Sequence, residues 1–90
     1  MKNNEVSVKD LPNIGDVLAS ELKNVGIVTA FDLTDIGSAR AIYKIRGASG
    51  RGCTNMLYAL EGAIKGIRWH GLTEKEKEVV REDFEKLVSE

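Results

Sequence analysis

A short segment ahead of a predicted helix combines residue types that can hold a phosphate group. It reads LPNIG over residues 11–15, and an apolar helical pattern follows from Asp16. A glycine just before a helix lets backbone N–H groups point outward, and the positive end of the helix dipole favours an anion there. The same residues can instead form a tight turn in which Ile14 fills a helix junction. The segment therefore predicts either a phosphate contact through Asn13, Ile14 and Gly15 or a structural turn.

The pattern is typical of a helix-hairpin-helix module, in which an apolar residue and a glycine precede a helix that carries alanine four residues later. Ala19 occupies that position. Two residues depart from the DNA-binding versions. Asn13 replaces a common glycine, and Asp16 places a negative charge beside the helix start. Because a carboxylate repels a phosphate, Asp16 weakens the expected binding.

A second glycine-rich segment, residues 46–54, carries Arg46 and Arg51 and leads into another predicted helix. Glycines, two guanidinium groups and a helix dipole together can form an anion site. A flexible connection between two helices explains the same glycines. The segment has neither the Gly-Lys-Ser/Thr of a Walker A loop nor the strand context of a dinucleotide fingerprint, so we expect no cofactor.

The charge distribution adds to both candidates. The chain has a formal net charge of −1, but residues 40–70 contain six basic side chains and one acidic side chain. We call these six side chains the basic island: Arg40, Lys44, Arg46, Arg51, Lys65 and Arg68. Such a cluster can attract phosphate, while the acidic flanks limit non-specific binding to nucleic acid. Within the island, Lys44, Arg46, Arg51 and Arg68 are the predicted nucleic-acid contacts.

Catalysis and metal binding find little support. The chain has one cysteine, Cys53, and one histidine, His70, which are too few soft ligands for a zinc site. If both lie at the ends of one continuous helix, about 25 Å separates them, which excludes a direct catalytic dyad. We therefore predict a protein that is not an enzyme and has no metal site.

Length and patterning indicate one small all-α domain. Ninety residues can bury one core but no deep cleft between domains. Residues 1–7 are expected to be a flexible N-terminus and residues 8–90 a compact bundle of about five short helices. No segment approaches the roughly 20 apolar residues that cross a bilayer, so we expect a cytoplasmic protein without membrane contact.

Capping residues predict where the helices begin and end. A single turn follows Ser7, and the expected helices cover residues 16–25 before Gly26, 30–36 before Gly37, 39 to about 46 after Ser38, about 53–68, and 74 to about 88 after Thr73. The helix over 53–68 is the most apolar and is expected to be central. Gly62 and Gly66 each cost up to about 1 kcal/mol there, and close approach of a second helix is the expected compensation.

The last helix offers an alternative function. Its predicted inner side contains Val79, Val80, Phe84, Leu87 and Val88. Val80 and Phe84 could also bind a protein partner or a second copy of the chain. The near-neutral total charge favours such a protein-interaction module, and the oligomeric state stays open.

Two stretches together resemble the C-terminal domain of the TfoX (Sxy) family of competence regulators. The first is residues 11–15 with Ala19, Leu22, Gly26 and Ile27. The second and more specific stretch is residues 55–70 with Leu72. The resemblance covers about residues 8–88. About six residues precede the first predicted turn here, whereas longer family members carry an additional N-terminal domain.

The resemblance implies an all-α domain with a helix-hairpin-helix-like element and no enzymatic activity. It also implies a bacterial protein that promotes transcription of genes for DNA transformation, in concert with a transcription regulator such as the cyclic-AMP receptor protein. The chain would then be a stand-alone version or an excised piece of a longer member. The leading hypothesis is a regulatory module that contacts DNA or a DNA-bound protein.

Overall fold

The computed structural model describes residues 6–50 and 52–89, and these residues form an all-α bundle, as predicted. Five α-helices follow one another: α1 Asp16–Asn24, α2 Ala30–Ile36, α3 Ser38–Ser49, α4 Thr54–Lys65 and α5 Glu74–Val88. Two short 3₁₀ helices, Val8–Asp10 and Trp69–Gly71, precede α1 and α5. Within the described residues, the β-type pairing is a single bridge between Ser7 and Thr29. None of the described helices is long and apolar enough to cross a membrane.

The N-terminal residues that are described pair with the segment before α2. The amide of Ala30 donates to the carbonyl of Val6, and the amide of Val8 donates to the carbonyl of Val28, at 2.7 and 3.0 Å. Residues 1–5 of the predicted flexible N-terminus lie outside the described residues. The predicted domain boundary at residue 8 stays a prediction.

The predicted capping signals are found at three helix ends. The hydroxyl oxygens of Thr29 and Thr73 each accept a hydrogen bond from the amide of the third helical residue. The carboxylates of those third residues, Asp32 and Glu76, accept a hydrogen bond from the backbone amide of the capping threonine. Gly26 has φ +87°, and the amide of Ile27 donates to the carbonyl of Leu22. This is the bond of a Schellman motif, which accommodates the left-handed residue that ends α1.

Two predicted boundaries of α3 are wrong. Ser38 does not cap the helix from outside. It is the first helical residue, and its hydroxyl donates to a carboxylate oxygen of Glu61 at 2.8 Å. The helix also continues through Gly47 to Ser49 and ends at Gly50, which adopts φ +78°. Gly47 is tolerated in the last turn because a single helical glycine costs only about 1 kcal/mol.

The predicted continuation of α4 to Arg68 is also wrong, since the helix ends at Lys65. Gly66 adopts φ +76°, and the amide of Ile67 donates to the carbonyl of Gly62. The glycine expected inside the helix thus terminates it. Both faces of α4 are covered as expected, with Leu57 and Leu60 on one side and Tyr58 and Gly62 on another.

The core is built around α3, which contacts all four other helices, while α4 contacts α2, α3 and α5. The largest fully buried side chains of the core are Leu22, Leu33, Ile42, Ile45, Leu57 and Leu60. Two valines predicted to face inward, Val79 and Val88, are exposed instead, at 43% and 44%, and Val17 of α1 is 61% exposed. Val17 precedes the buried Leu22 by five residues, and Val79 precedes the partly buried Phe84 by five residues. Five residues correspond to about 140° around a helix, so the two side chains of each pair point to different sides.

The cap of α2 predicts a measurable pH dependence of stability. Asp32 accepts from the amides of Val28 and Thr29, both at 3.1 Å, and these bonds hold the pKa of its carboxyl below the ordinary value. A lowered folded-state pKa adds stability that is complete above the unfolded pKa, about 4, and disappears as the pH falls towards the folded pKa. We expect Asp32→Asn to lower stability at pH 7 and to flatten the decline below pH ~4.

Urea denaturation between pH 2 and 7 measures this effect. Asp35→Asn on the same helix is the matched control, because Asp35 is exposed and makes no capping bond in the described part of the chain. An equal pH dependence in both variants would contradict the assignment to the α2 cap.

Candidate nucleic-acid interface

The hairpin before α1 is held by the side chain of Asn13. Its amide nitrogen donates to the carbonyl of Ile67 at 2.8 Å and to that of Ala59 at 3.3 Å, and its oxygen accepts from the amide of Trp69 at 3.1 Å. Asn13 has φ +72°, a left-handed conformation that asparagine tolerates better than most residues. The side chain therefore connects the hairpin to the segment after α4.

Gly62 is the residue that lets Asn13 approach α4. A β-carbon built on Gly62 would lie 2.6 Å from the Asn13 amide nitrogen, 2.8 Å from the Ile67 carbonyl oxygen and 3.1 Å from the Trp69 α-carbon. The predicted reason for this glycine, close packing of a second helix, is wrong. What approaches it is one polar side chain together with the backbone of residues 67–69.

The other two hairpin residues face in different directions. Ile14 is 8% exposed and belongs to the core, so a partner could contact only its backbone. Gly15 is exposed and precedes the first residue of α1, with no side-chain hydrogen bond capping that helix end and open space where a β-carbon would be. The predicted turn function of Ile14 and the accessible helix start therefore occur together.

Arg68 lies beside this hairpin because both of its neighbours, Ile67 and Trp69, are bonded to Asn13. Its side chain is exposed. We call Asn13–Gly15 and Arg68 the hairpin surface. Residues 13 and 68 are far apart in the sequence, and the hydrogen bonds of Asn13 bring the backbone around Arg68 to the turn that precedes α1, a helix start without a side-chain cap.

An aromatic and cationic cluster supports the hairpin surface from α4 and α5. The rings of Trp69 and His70 stack with centroids 4.3 Å apart, and Tyr58 lies 6.3 Å from Trp69. The ammonium group of Lys77 lies 5.5 Å from the Tyr58 ring centroid and 5.6 Å from that of Trp69. Contacts of this kind restrict the side chain of Trp69, which follows Arg68 in the chain.

Arg81 completes the cluster. It donates to the Tyr58 hydroxyl at 2.6 Å, and this bond is the main cause of the raised pKa of the Arg81 guanidinium. The sequence pattern did not single out this cluster. Its only signal was the spacing of Tyr58 and Trp69 on the second face of the predicted helix.

Lys44 and Arg46 do not join the hairpin surface. The bond between Ser38 and Glu61 joins the start of α3 to the end of α4, so the two helices run antiparallel. A β-carbon on Gly52 would lie 3.4 Å from that of Arg46, which places Arg46 near the start of α4. Arg68 follows the other end of α4, a helix of 12 residues and therefore about 18 Å long.

The basic island is thus divided between two ends of the bundle. Arg68 accompanies the hairpin, whereas Lys44 and Arg46 lie at the last turns of α3. The remaining predicted contact, Arg51, lies outside the described residues. Contact with nucleic acid stays a prediction for each of these residues.

The predicted protein-interaction residues of α5 are covered by the chain itself. Val80 is 6% exposed and part of the core. Phe84 is partly buried against that core, and the guanidinium of Arg46 lies 5.6 Å from its ring centroid. The more exposed residues of α5 are Val79 and Val88. An interaction through α5 stays a prediction, and the structure makes these two valines more accessible than Val80.

No group of histidine, cysteine and acidic side chains suited to a metal occurs in residues 6–50 and 52–89. Cys53 is exposed immediately before α4, and His70 lies in the 3₁₀ helix beyond its other end. The helix between them separates the thiol from the imidazole, as the sequence predicted, although this helix is shorter than expected.

Comparison with known proteins gives one family model and several similar chains of known structure, two of which are described below. The family model of the TfoX C-terminal domain matches residues 4–84. An uncharacterized protein from Listeria monocytogenes, in a triclinic form, is 43% identical with a TM-score of 0.83, over 91% of this chain and 93% of that one. A tetragonal form of a Listeria monocytogenes protein of unknown function is 44% identical with a TM-score of 0.79, over 88% and 98%. No curated protein matches the chain.

Proposed function

Since the chain belongs to the family of TfoX C-terminal domains, we propose that it is a non-enzymatic regulatory module that contacts DNA through the hairpin surface. The observation that carries this proposal is the set of hydrogen bonds by which Asn13, three residues before α1, holds the backbone on both sides of the exposed Arg68. The resemblance of the sequence to competence regulators supports a role in the transcription of DNA-uptake genes.

Phosphate is the part of DNA that this surface suits. Backbone N–H groups at a helix start bind a phosphate oxygen, and an exposed guanidinium adds charge-assisted hydrogen bonds. Such contacts position a protein on the duplex but do not read its sequence. Asp16 is exposed in the first turn of α1 and opposes the phosphate, so we expect weak binding.

Weak and sequence-independent contact requires another protein to choose the promoter. We therefore propose that the module acts on DNA together with a DNA-bound transcription regulator of the cyclic-AMP receptor type, in the bacterial cytoplasm. The alternative is a module that binds only proteins. The net charge of −1 and the exposed Asp16 favour that alternative.

Two charge reversals test the DNA contact. Fluorescence anisotropy of a labelled random-sequence duplex is measured at about 50 and 200 mM salt, where each phosphate contact contributes about −0.9 to the log–log slope. We expect Arg68→Glu to weaken binding about tenfold at the lower salt and to reduce the slope by about one. Lys44→Glu changes the net charge equally but lies outside the hairpin surface, so its affinity should stay within about twofold of the original.

The outcomes separate the two functions. No binding by the original protein at about 50 mM salt would favour the protein-only module. Equal losses in both variants would show that net charge rather than the hairpin surface governs the affinity. Circular dichroism of each variant checks that the helices are intact.

A further inference from the structure

A groove beside the last turns of α3 carries a combination of apolar surface and positive charge that the hairpin surface lacks. It encloses about 490 Å³ and is lined by Tyr43, Lys44, Arg46, Gly47 and Val88. We infer that this groove docks an acidic segment of a partner protein that carries an aromatic or large aliphatic side chain. It is a second interaction site, separate from the hairpin surface.

The apolar part of the groove is open to solvent. Tyr43 is 47% exposed and Val88 is 44% exposed, although both are large apolar side chains. Gly47 also lines the groove and has open space where a β-carbon would be. A side chain entering here removes the exposed surface of the tyrosine and the valine from water, which favours an apolar occupant.

The charge of the groove selects an acidic occupant. Its lining contains two cations and no carboxylate. Arg46 lies over the Phe84 ring, whereas the ion pairs described for residues 6–50 and 52–89 involve Lys65 and Lys77. Lys44 and Arg46 therefore form no ion pair within that part of the chain, and a partner's aspartate or glutamate would complement their positive charges.

A protein segment suits this groove better than DNA does. A DNA duplex presents a charged sugar-phosphate surface and keeps the faces of its bases stacked inside, whereas a peptide can place an apolar side chain on Tyr43 and Val88 between two carboxylates. The volume lies within the range of about 300–1,000 Å³ that is typical of pockets for small ligands and side chains. The position at the far end of α4 also leaves the hairpin surface free when the groove is occupied.

The probe is a labelled ten-residue peptide in which one phenylalanine is flanked by aspartates and glutamates. A peptide with lysines in place of the acidic residues is its control. Binding is followed by fluorescence anisotropy with the full chain at about 50 mM salt. We expect the acidic peptide to bind and the lysine peptide not to bind, because only the acidic peptide complements Lys44 and Arg46.

Variants locate the binding site. Lys44→Glu should weaken binding of the acidic peptide at least about tenfold, and Val88→Ser should weaken it about threefold. Both residues line the groove and are exposed. Arg68→Glu should leave peptide affinity unchanged while it reduces DNA binding. This opposite pattern separates failure of the groove from failure of the DNA contact.

Four outcomes would overturn the inference. The first is no binding of the acidic peptide, and the second is an equal loss of peptide affinity with Lys44→Glu and Arg68→Glu. The third is displacement of the peptide by the random-sequence duplex, which would assign the groove to nucleic acid. The fourth is a dimer in sedimentation equilibrium that Lys44→Glu dissociates, because that result would assign the groove to a second copy of the chain.

Discussion

Replacing Gly62 by alanine should destabilise the domain by about 2 kcal/mol, although alanine is the better helix former. The new methyl group would meet the Ile67 carbonyl oxygen at 2.8 Å and the Trp69 α-carbon at 3.1 Å, in addition to the Asn13 amide. Two of these three neighbours are backbone atoms, which cannot move aside as the end of a flexible side chain can. The steric cost therefore exceeds the gain of up to about 1 kcal/mol in helix propensity.

Urea denaturation followed by circular dichroism measures this loss as a lower midpoint with an unchanged slope. Gly47→Ala is the matched control, because Gly47 is also helical and nothing lies within 4 Å of its built β-carbon. That variant should keep or raise the stability, by up to about 1 kcal/mol. A stabilised Gly62→Ala protein would show that residues 67–69 do not pack on α4 as described.

Replacing Asn13 by alanine should cost about 3 kcal/mol of unfolding free energy. Three hydrogen bonds disappear, each contributing about 1 kcal/mol, and the freed groups include a partly buried amide. Alanine also adopts the φ of +72° less readily than asparagine does. Without these hydrogen bonds, the hairpin is no longer anchored to the segment that carries Arg68.

Asn13→Gly distinguishes the two contributions, because glycine accepts the left-handed conformation but cannot make the hydrogen bonds. We expect it to cost about 2 kcal/mol, less than alanine at the same position. Chemical denaturation of both variants under one set of conditions measures the difference. Equal stability of Asn13→Ala and the original protein would contradict the anchoring function of this side chain.

The two substitutions are coupled, since Asn13 and Gly62 are in contact. Removing the Asn13 amide eliminates one of the three close neighbours of an alanine at position 62, while the Ile67 carbonyl remains. The double variant Asn13→Gly, Gly62→Ala should therefore lose less stability than the sum of the single losses.

Anchoring by Asn13 also bears on DNA binding. In Asn13→Gly the helix start and Arg68 are no longer fixed relative to each other, so duplex affinity should fall while binding of the acidic peptide is unaffected. A loss of both activities would indicate general unfolding rather than a local change in the hairpin surface.

The helix ends illustrate how much local sequence can predict. Thr29 with Asp32 and Thr73 with Glu76 satisfy each other's hydrogen bonds within four residues, so no distant contact is needed. The same holds for Gly26, whose left-handed conformation ends α1. Where a glycine could either continue or end a helix, local sequence was insufficient: Gly47 continues α3, whereas Gly66 terminates α4.

The candidate site could be predicted only in part. The sequence identified the hairpin segment and the basic residues, but it could not show that the antiparallel arrangement of α3 and α4 separates Lys44 and Arg46 from Arg68. It placed Val80 on the inner side of the last helix and also offered it as a partner contact, and in the bundle that side chain is buried.

The sequence by itself determined the all-α class, the number of helices and most of their ends, because caps and apolar periodicity act over a few residues. Only the tertiary structure decided which charged residues share a surface. It also decided that position 62 has no room for a β-carbon and that Asn13 anchors the turn before α1. Asn13 forms hydrogen bonds with Ile67 and Trp69, which lie 54 and 56 positions further along the sequence. The partners of such bonds are set by the packing of the whole bundle, so residue types and short-range spacing do not predict them.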